Sequence, residues 1–81
     1  MNIFVASLSF QTTEETLREL FEQYGEVESV KIISDRMTGK SKGYGFVEMP
    51  NDEEGEQAIN GLNDQEVDDR AIVVKKARPR E

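Results

Sequence analysis

The chain has 81 residues with no cysteine and no histidine, so disulfides, thiolate metal sites and imidazole chemistry are excluded. One small domain fits this length, with a core that removes about 60% of the surface exposed by the unfolded chain. Ten basic and seventeen acidic residues leave a net charge of −7, which on its face opposes binding to phosphates.

Residues 2–8, NIFVASL, predict a short strand bounded by Ser9. Thr12 with Glu15 three residues on has the pattern of a capping box and predicts a helix start there. Leu17, Leu20, Phe21 and Tyr24 follow at helical spacing as one apolar stripe. Gly25 suits a C-terminal stop in the left-handed conformation. Residues 27–34, VESVKIIS, predict a second strand, with Val30 and Ile32 on one face and Lys31 and Ile33 on the other. Residues 35–42, DRMTGKSK, form a polar loop turning at Gly39.

The third strand is KGYGFVEM, residues 42–49, in which Tyr44 and Phe46 recur at period two and so share a face. Asn51, with Glu54 three residues later, starts a second helix whose narrow stripe is Gly55, Ala58, Ile59 and Leu62. The glycine inside it costs about 1 kcal/mol relative to alanine and is tolerable where helix and sheet approach closely. Residues 63–69, NDQEVDD, read as a turn-rich connection, and residues 70–77, RAIVVKKA, as the last strand. The domain is expected over residues 1–78, with 79–81 as a short basic tail.

The order strand–helix–strand–strand–helix–strand defines an α+β, ferredoxin-like split β-α-β fold: a four-stranded antiparallel sheet with two helices on one face. The helices must cover Ile3, Val5, Val30, Ile32, Gly45, Val47, Met49, Ile72 and Val74. Alternation then leaves Phe4, Ala6, Lys31, Ile33, Lys42, Tyr44, Phe46, Val73 and Lys75 on an uncovered face. Charge follows the same division. Residues 14–28 and 48–69 hold fifteen acidic side chains and one basic, while 31–46 and 70–81 hold nine basic and two acidic. The acid is thus expected behind the sheet, with the helices, and the base on the strands in front.

At these residues the sequence resembles the RNA recognition motif family. KGYGFVEM is similar to the family's eight-residue ribonucleoprotein motif at every position but the last, where Met49 stands for an aromatic. IFVASL, residues 3–8, is similar to its six-residue motif, with Ser7 where asparagine or glycine is usual. The resemblance extends to LFEQYGEV and DRMTGKSKG and covers nearly the whole chain. It implies that Phe4 stacks on one base, that Tyr44 stacks on a second, and that Phe46 lies against the sugars between them. It implies phosphate contact at Lys42. Lys31, Lys75, Lys76 and Arg78 are expected to support RNA binding from the basic segments. Aromatic rings replace the stacking that single-stranded bases lack, worth about 1–3 kcal/mol per base.

Catalytic patterns do not hold. GYGFVE lies within a strand instead of opening a helix, and TGKS has Ser34 where a phosphate-binding loop needs its first glycine, with no helix after it. Asp64, Asp68 and Asp69 lack calcium-loop spacing. The expectation is a non-enzymatic module without metal or cofactor. It binds single-stranded RNA as a small post-transcriptional regulator or RNA chaperone. The alternatives are a protein–protein adaptor using the acidic helix face, or single-stranded DNA binding. No apolar run is long enough to span a membrane, and no basic region precedes IFVASL as in a signal peptide. A soluble, cytoplasmic protein is expected (nuclear in a eukaryotic host). Met1 abutting the first strand fits either a complete small protein or a trimmed segment.

Overall fold

The computed structural model describes residues 1–39 and 41–77, with the side chains of 41 and 42 left aside. Strand β1 (Asn2–Ala6), helix α1 (Glu14–Glu22), strands β2 (Ser29–Ser34) and β3 (Ser41–Glu48), and helix α2 (Asp52–Leu62) follow in that order. Three short strands complete the chain: β4 (Glu66–Val67), β5 (Arg70–Ala71) and β6 (Val73–Lys76). The main sheet has the order β2-β3-β1-β6, and all of its pairings are antiparallel. Helix α1 lies against β2 and α2 against β6. This is the expected split β-α-β fold, with a small extra hairpin.

The core is the helix-facing half of each strand. Ile3, Val5, Val47, Met49, Ile72 and Val74 are buried with Leu17 and Phe21 of α1 and Ala58 and Leu62 of α2. Val30, Ile32, Leu20, Tyr24 and Ile59 pack against them from the margin. The third strand can lie so close to the second because Gly45 has no side chain. A Cβ there would collide with the Lys31 carbonyl oxygen and stand 3.0 Å from the Ile32 Cα.

Both outer strands have a backbone donor satisfied by a side chain. The Glu14 carboxylate accepts from the Ile32 N–H at 3.0 Å, and the Asn63 side-chain oxygen accepts from the Val74 N–H at 2.9 Å. Such groups would otherwise offer a template for pairing with another chain.

Several local expectations are corrected. Helix α1 is capped by Thr13, whose hydroxyl accepts from the Thr16 N–H at 3.2 Å. Thr12 is instead buried, 4% exposed, and its hydroxyl donates to Asp68 Oδ2 at 2.7 Å. A tertiary partner 56 residues away therefore decides between two adjacent threonines. Helix α1 ends with Gln23 in the right-handed region, and Gly25 does not adopt positive φ. Its missing side chain instead makes room for Glu54.

Helix α2 starts as expected, with the Asn51 side chain accepting from the Glu54 N–H at 3.0 Å. The close approach at Gly55 is to the Met1 side chain, whose sulfur would stand 2.6 Å from an added Cβ, and not to the sheet backbone. The first strand stops at Ala6 because Ser7 turns the chain at φ +59°. That is the left-handed region, which favours asparagine and glycine, so the departure from the family pattern sits where it is conformationally unfavourable. The second strand begins at Ser29, two residues later than expected.

The expected last strand is divided. Residues 66–67 and 70–71 pair as a hairpin whose two-residue turn, Asp68 and Asp69, has φ of +50° and +67°. Positive φ at both central residues matches the twist of the flanking strands, and aspartate tolerates it. Ile72 lies between β5 and β6, fully buried, with its N–H donating to the Gln65 carbonyl at 3.0 Å. Among the described residues, no helix is long and apolar enough to cross a membrane.

Candidate nucleic-acid interface

The sheet face away from the helices is ordered in rows. Strand register sets Lys31 opposite Phe46, Phe46 opposite Phe4, and Phe4 opposite Lys75. The middle row therefore reads lysine, ring, ring, lysine across all four strands. One step along, Tyr44 pairs with Ala6 and Ala6 with Val73. One step the other way, Ser29 pairs with Glu48 and Glu48 with Asn2. Directly opposed side chains on one face have Cβ atoms about 4.5–5.5 Å apart, so each row is a continuous strip.

The three rings form one cluster. Phe4 and Phe46 have centroids 5.6 Å apart with planes at 56°, and Phe4 and Tyr44 are 5.9 Å apart at 38°. These separations lie in the favourable range for tilted aromatic pairs. The rings hold one another without closing over one another. Phe46 keeps 40% of its surface exposed, while Phe4 and Tyr44 are half-buried. Together with Lys31, Ile33 and Lys75 they line a shallow, open depression.

The backbone that presents Tyr44 depends on Gly43, which has φ +84° and whose carbonyl accepts from the Leu8 N–H at 2.9 Å. A residue with a side chain would be strained there. This bond ties the end of the first strand to the start of the third, fixing Phe4 and Tyr44 on adjacent strands.

The other expected contacts divide. Lys76 is exposed and pairs with Ile3, so the pleat directs its Cβ toward the helix side, yet the residue also lines the depression. The strand position of Lys42 belongs to β3, but its side chain lies outside the described residues, as does Arg78 with the tail at 79–81. Met49 is fully buried, in keeping with a role in packing.

One expectation about charge needs correction. Charge taken by segment puts Glu48 with the acidic helix, yet it shares the parity of Tyr44 and Phe46 and lines the open depression. The period-two pattern that marked the rings could have found it. The opposite end of the sheet also carries features not anticipated. Phe10, in the loop after β1, and Met37, in the loop before β3, are 70% and 95% exposed. Along the strands the platform itself grades from the apolar Tyr44, Ala6 and Val73 row to the polar Ser29, Glu48 and Asn2 row.

Comparison with known proteins agrees with this architecture. The family model described as RNA recognition motif matches residues 3–73. A protein of Nostoc sp. named for RNA binding, RbpB, is 46% identical over 81 residues, covering 100% of this chain and 79% of that protein. The crystal structure of RNA-binding protein PG1 superimposes with a TM-score of 0.95 at 46% identity, covering 100% of this chain and 98% of that one. The Rna15 RNA recognition motif with bound RNA gives 0.86 at 28% identity, covering 96% and 83%. The chain therefore belongs to the RNA recognition motif family, a family of RNA-binding proteins. It spans about half the length of the plant glycine-rich RNA-binding proteins that it also matches.

Proposed function

We propose that the chain binds single-stranded RNA on the open sheet face, a few nucleotides at a time, as a post-transcriptional regulator or RNA chaperone. The observation that carries this reading is the central row, in which Lys31 and Lys75 flank Phe46 and Phe4 in direct cross-strand register. Flat apolar surfaces for two bases thus lie between two cations for the backbone that joins them. Stacking is tolerant of sequence, because every base has a π-face. The lysines add a salt-dependent attraction.

Exposure favours Phe46 over Tyr44 as the second stacking ring. Phe46 is the most open of the three and lies directly across from Phe4, whereas Tyr44 lies one step along toward the loop end. In this reading Tyr44 packs against the sugar or base edge beside the stacked pair. The relative with bound RNA shows that the family fold can carry such a ligand. The acidic helices are expected to disfavour loose phosphate attachment and so place more weight on stacking.

Fluorescence anisotropy with short single-stranded RNAs at low salt tests the reading. Phe4→Ala with Phe46→Ala should weaken binding by about 1–3 kcal/mol per ring lost, with circular dichroism showing the variant still folded at the assay temperature. Wild-type affinity in the double variant would overturn it. DNA oligonucleotides of the same sequence, bound equally well, would reassign the ligand to single-stranded nucleic acid in general, since stacking alone does not read the 2′-hydroxyl.

A further inference from the structure

We propose that Glu48, with Asn2 and Ser29 beside it, reads the Watson–Crick edge of a guanine placed next to the stacked bases. This inference rests on the open face being an RNA-binding surface and specifies what one end of that surface selects.

Glu48 is a carboxylate on a central strand, at one end of a face whose other charged row is basic. It is exposed, lies on the third strand between Ser29 of the second and Asn2 of the first, and all three line the same depression as the rings. Its carboxylate accepts no hydrogen bond and makes no ion pair with any described residue. The row lies two residues beyond Phe46, about 6.7 Å along the strand. That is within reach of the nucleotide following a base stacked on the central row.

A carboxylate so placed repels phosphate, and that repulsion is offset only if a base supplies donors to it. The four bases differ in what they offer. Guanine presents two adjacent donors, N1–H and the N2 amino group, which match the two oxygens of one carboxylate as a bidentate pair. Cytosine offers its N4 amino group, but the neighbouring N3 is an acceptor and faces the second oxygen. Adenine has the same conflict between N6 and N1. Uracil has a single N3–H flanked by two carbonyl oxygens. Guanine is thus the one base that satisfies both oxygens without opposing lone pairs. Its O6, next along the same edge, is an acceptor, and the Asn2 amide directly across from Glu48 carries the donor for it. The Ser29 hydroxyl on the other side can donate or accept. Bases in single strands have this edge free, so such reading needs no duplex to be opened.

The probes are 5′-labelled hexauridine and a series in which one uridine at a time is replaced by guanosine, inosine, cytidine or adenosine, all titrated with the full chain. At one position guanosine should bind about tenfold more tightly than uridine, the discrimination of one good bidentate contact. Inosine, which keeps N1–H but lacks the N2 amino group, should lose most of that gain. Glu48→Gln should erase the difference between guanosine and uridine at that position, because one oxygen becomes a donor opposed to guanine's own. Equal tightening of every oligonucleotide by Glu48→Gln would show a purely repulsive charge and overturn the inference, as would a preference for cytidine. Wild-type binding of hexauridine with no guanosine preference sinks this inference alone. Failure to bind any RNA sinks the RNA-binding reading along with it.

Discussion

Val47 and Phe46 are neighbours in sequence, yet Val47 is sealed beneath the helices while Phe46 keeps 40% of its surface in solvent. The same contrast separates Val5 from Phe4 and Val74 from Lys75. Every strand of the sheet thus serves two masters at period two. The covered face is filled by branched aliphatic side chains, Met49 and Phe21, whose burial is the main source of folding free energy. The open face spends three aromatic rings where they contribute little to that core. A small domain with marginal stability does not gain by this arrangement unless a ligand completes it. The comparison teaches that hydrophobicity alone does not distinguish core from site; parity against the helix stripes does.

The largest effect that would break this division is on the covered face. Phe21→Ala removes a fully buried ring between α1 and the sheet. It should destabilise the domain by about 3–5 kcal/mol, enough to leave a large unfolded fraction, as read by urea denaturation followed by circular dichroism. A Phe4→Ala variant in the same assay should shift the midpoint far less. If the two variants lose similar stability, the faces are not divided as described.

A smaller effect sharpens the contrast at the point where the first strand ends. Ser7→Gly relieves the left-handed backbone at φ +59° and should stabilise the domain by about 0.5–1 kcal/mol, since an L side chain there is strained and glycine is not. Unchanged or lowered stability would show that the Ser7 side chain contributes something that the backbone preference does not capture.

Much of this was legible because two periods, 3.6 and 2, ran uninterrupted through long segments. The stripe Leu17, Leu20, Phe21 and Tyr24 located one helix, and Tyr44 with Phe46 located the open face. What escaped depended on partners distant in sequence. Local pattern favours Thr12 as the cap, with Glu15 three residues on; Asp68, brought near by the hairpin, claims the Thr12 hydroxyl, and the cap passes to Thr13. The hairpin itself has two-residue strands, too short to show alternation, and its turn is built from aspartates that read equally well as loop. Gly25 and Gly55 were assigned to backbone conformation and helix–sheet contact, whereas each makes room for a side chain, Glu54 and Met1 respectively. Glu48 was missed for a different reason. Grouping charges by segment joined it to the following helix, although strand parity already placed it with the rings.

The central claim is that RNA occupies one face of this sheet while the helices remain outside the contact. Backbone and side-chain NMR shifts recorded through a titration with a short single-stranded RNA test it most directly. The account predicts progressive changes at Phe4, Lys31, Tyr44, Phe46 and Lys75, with the exposed helix residues Glu15, Glu19 and Glu56 nearly still. Changes concentrated on those helix residues, with the three rings unmoved, would contradict it.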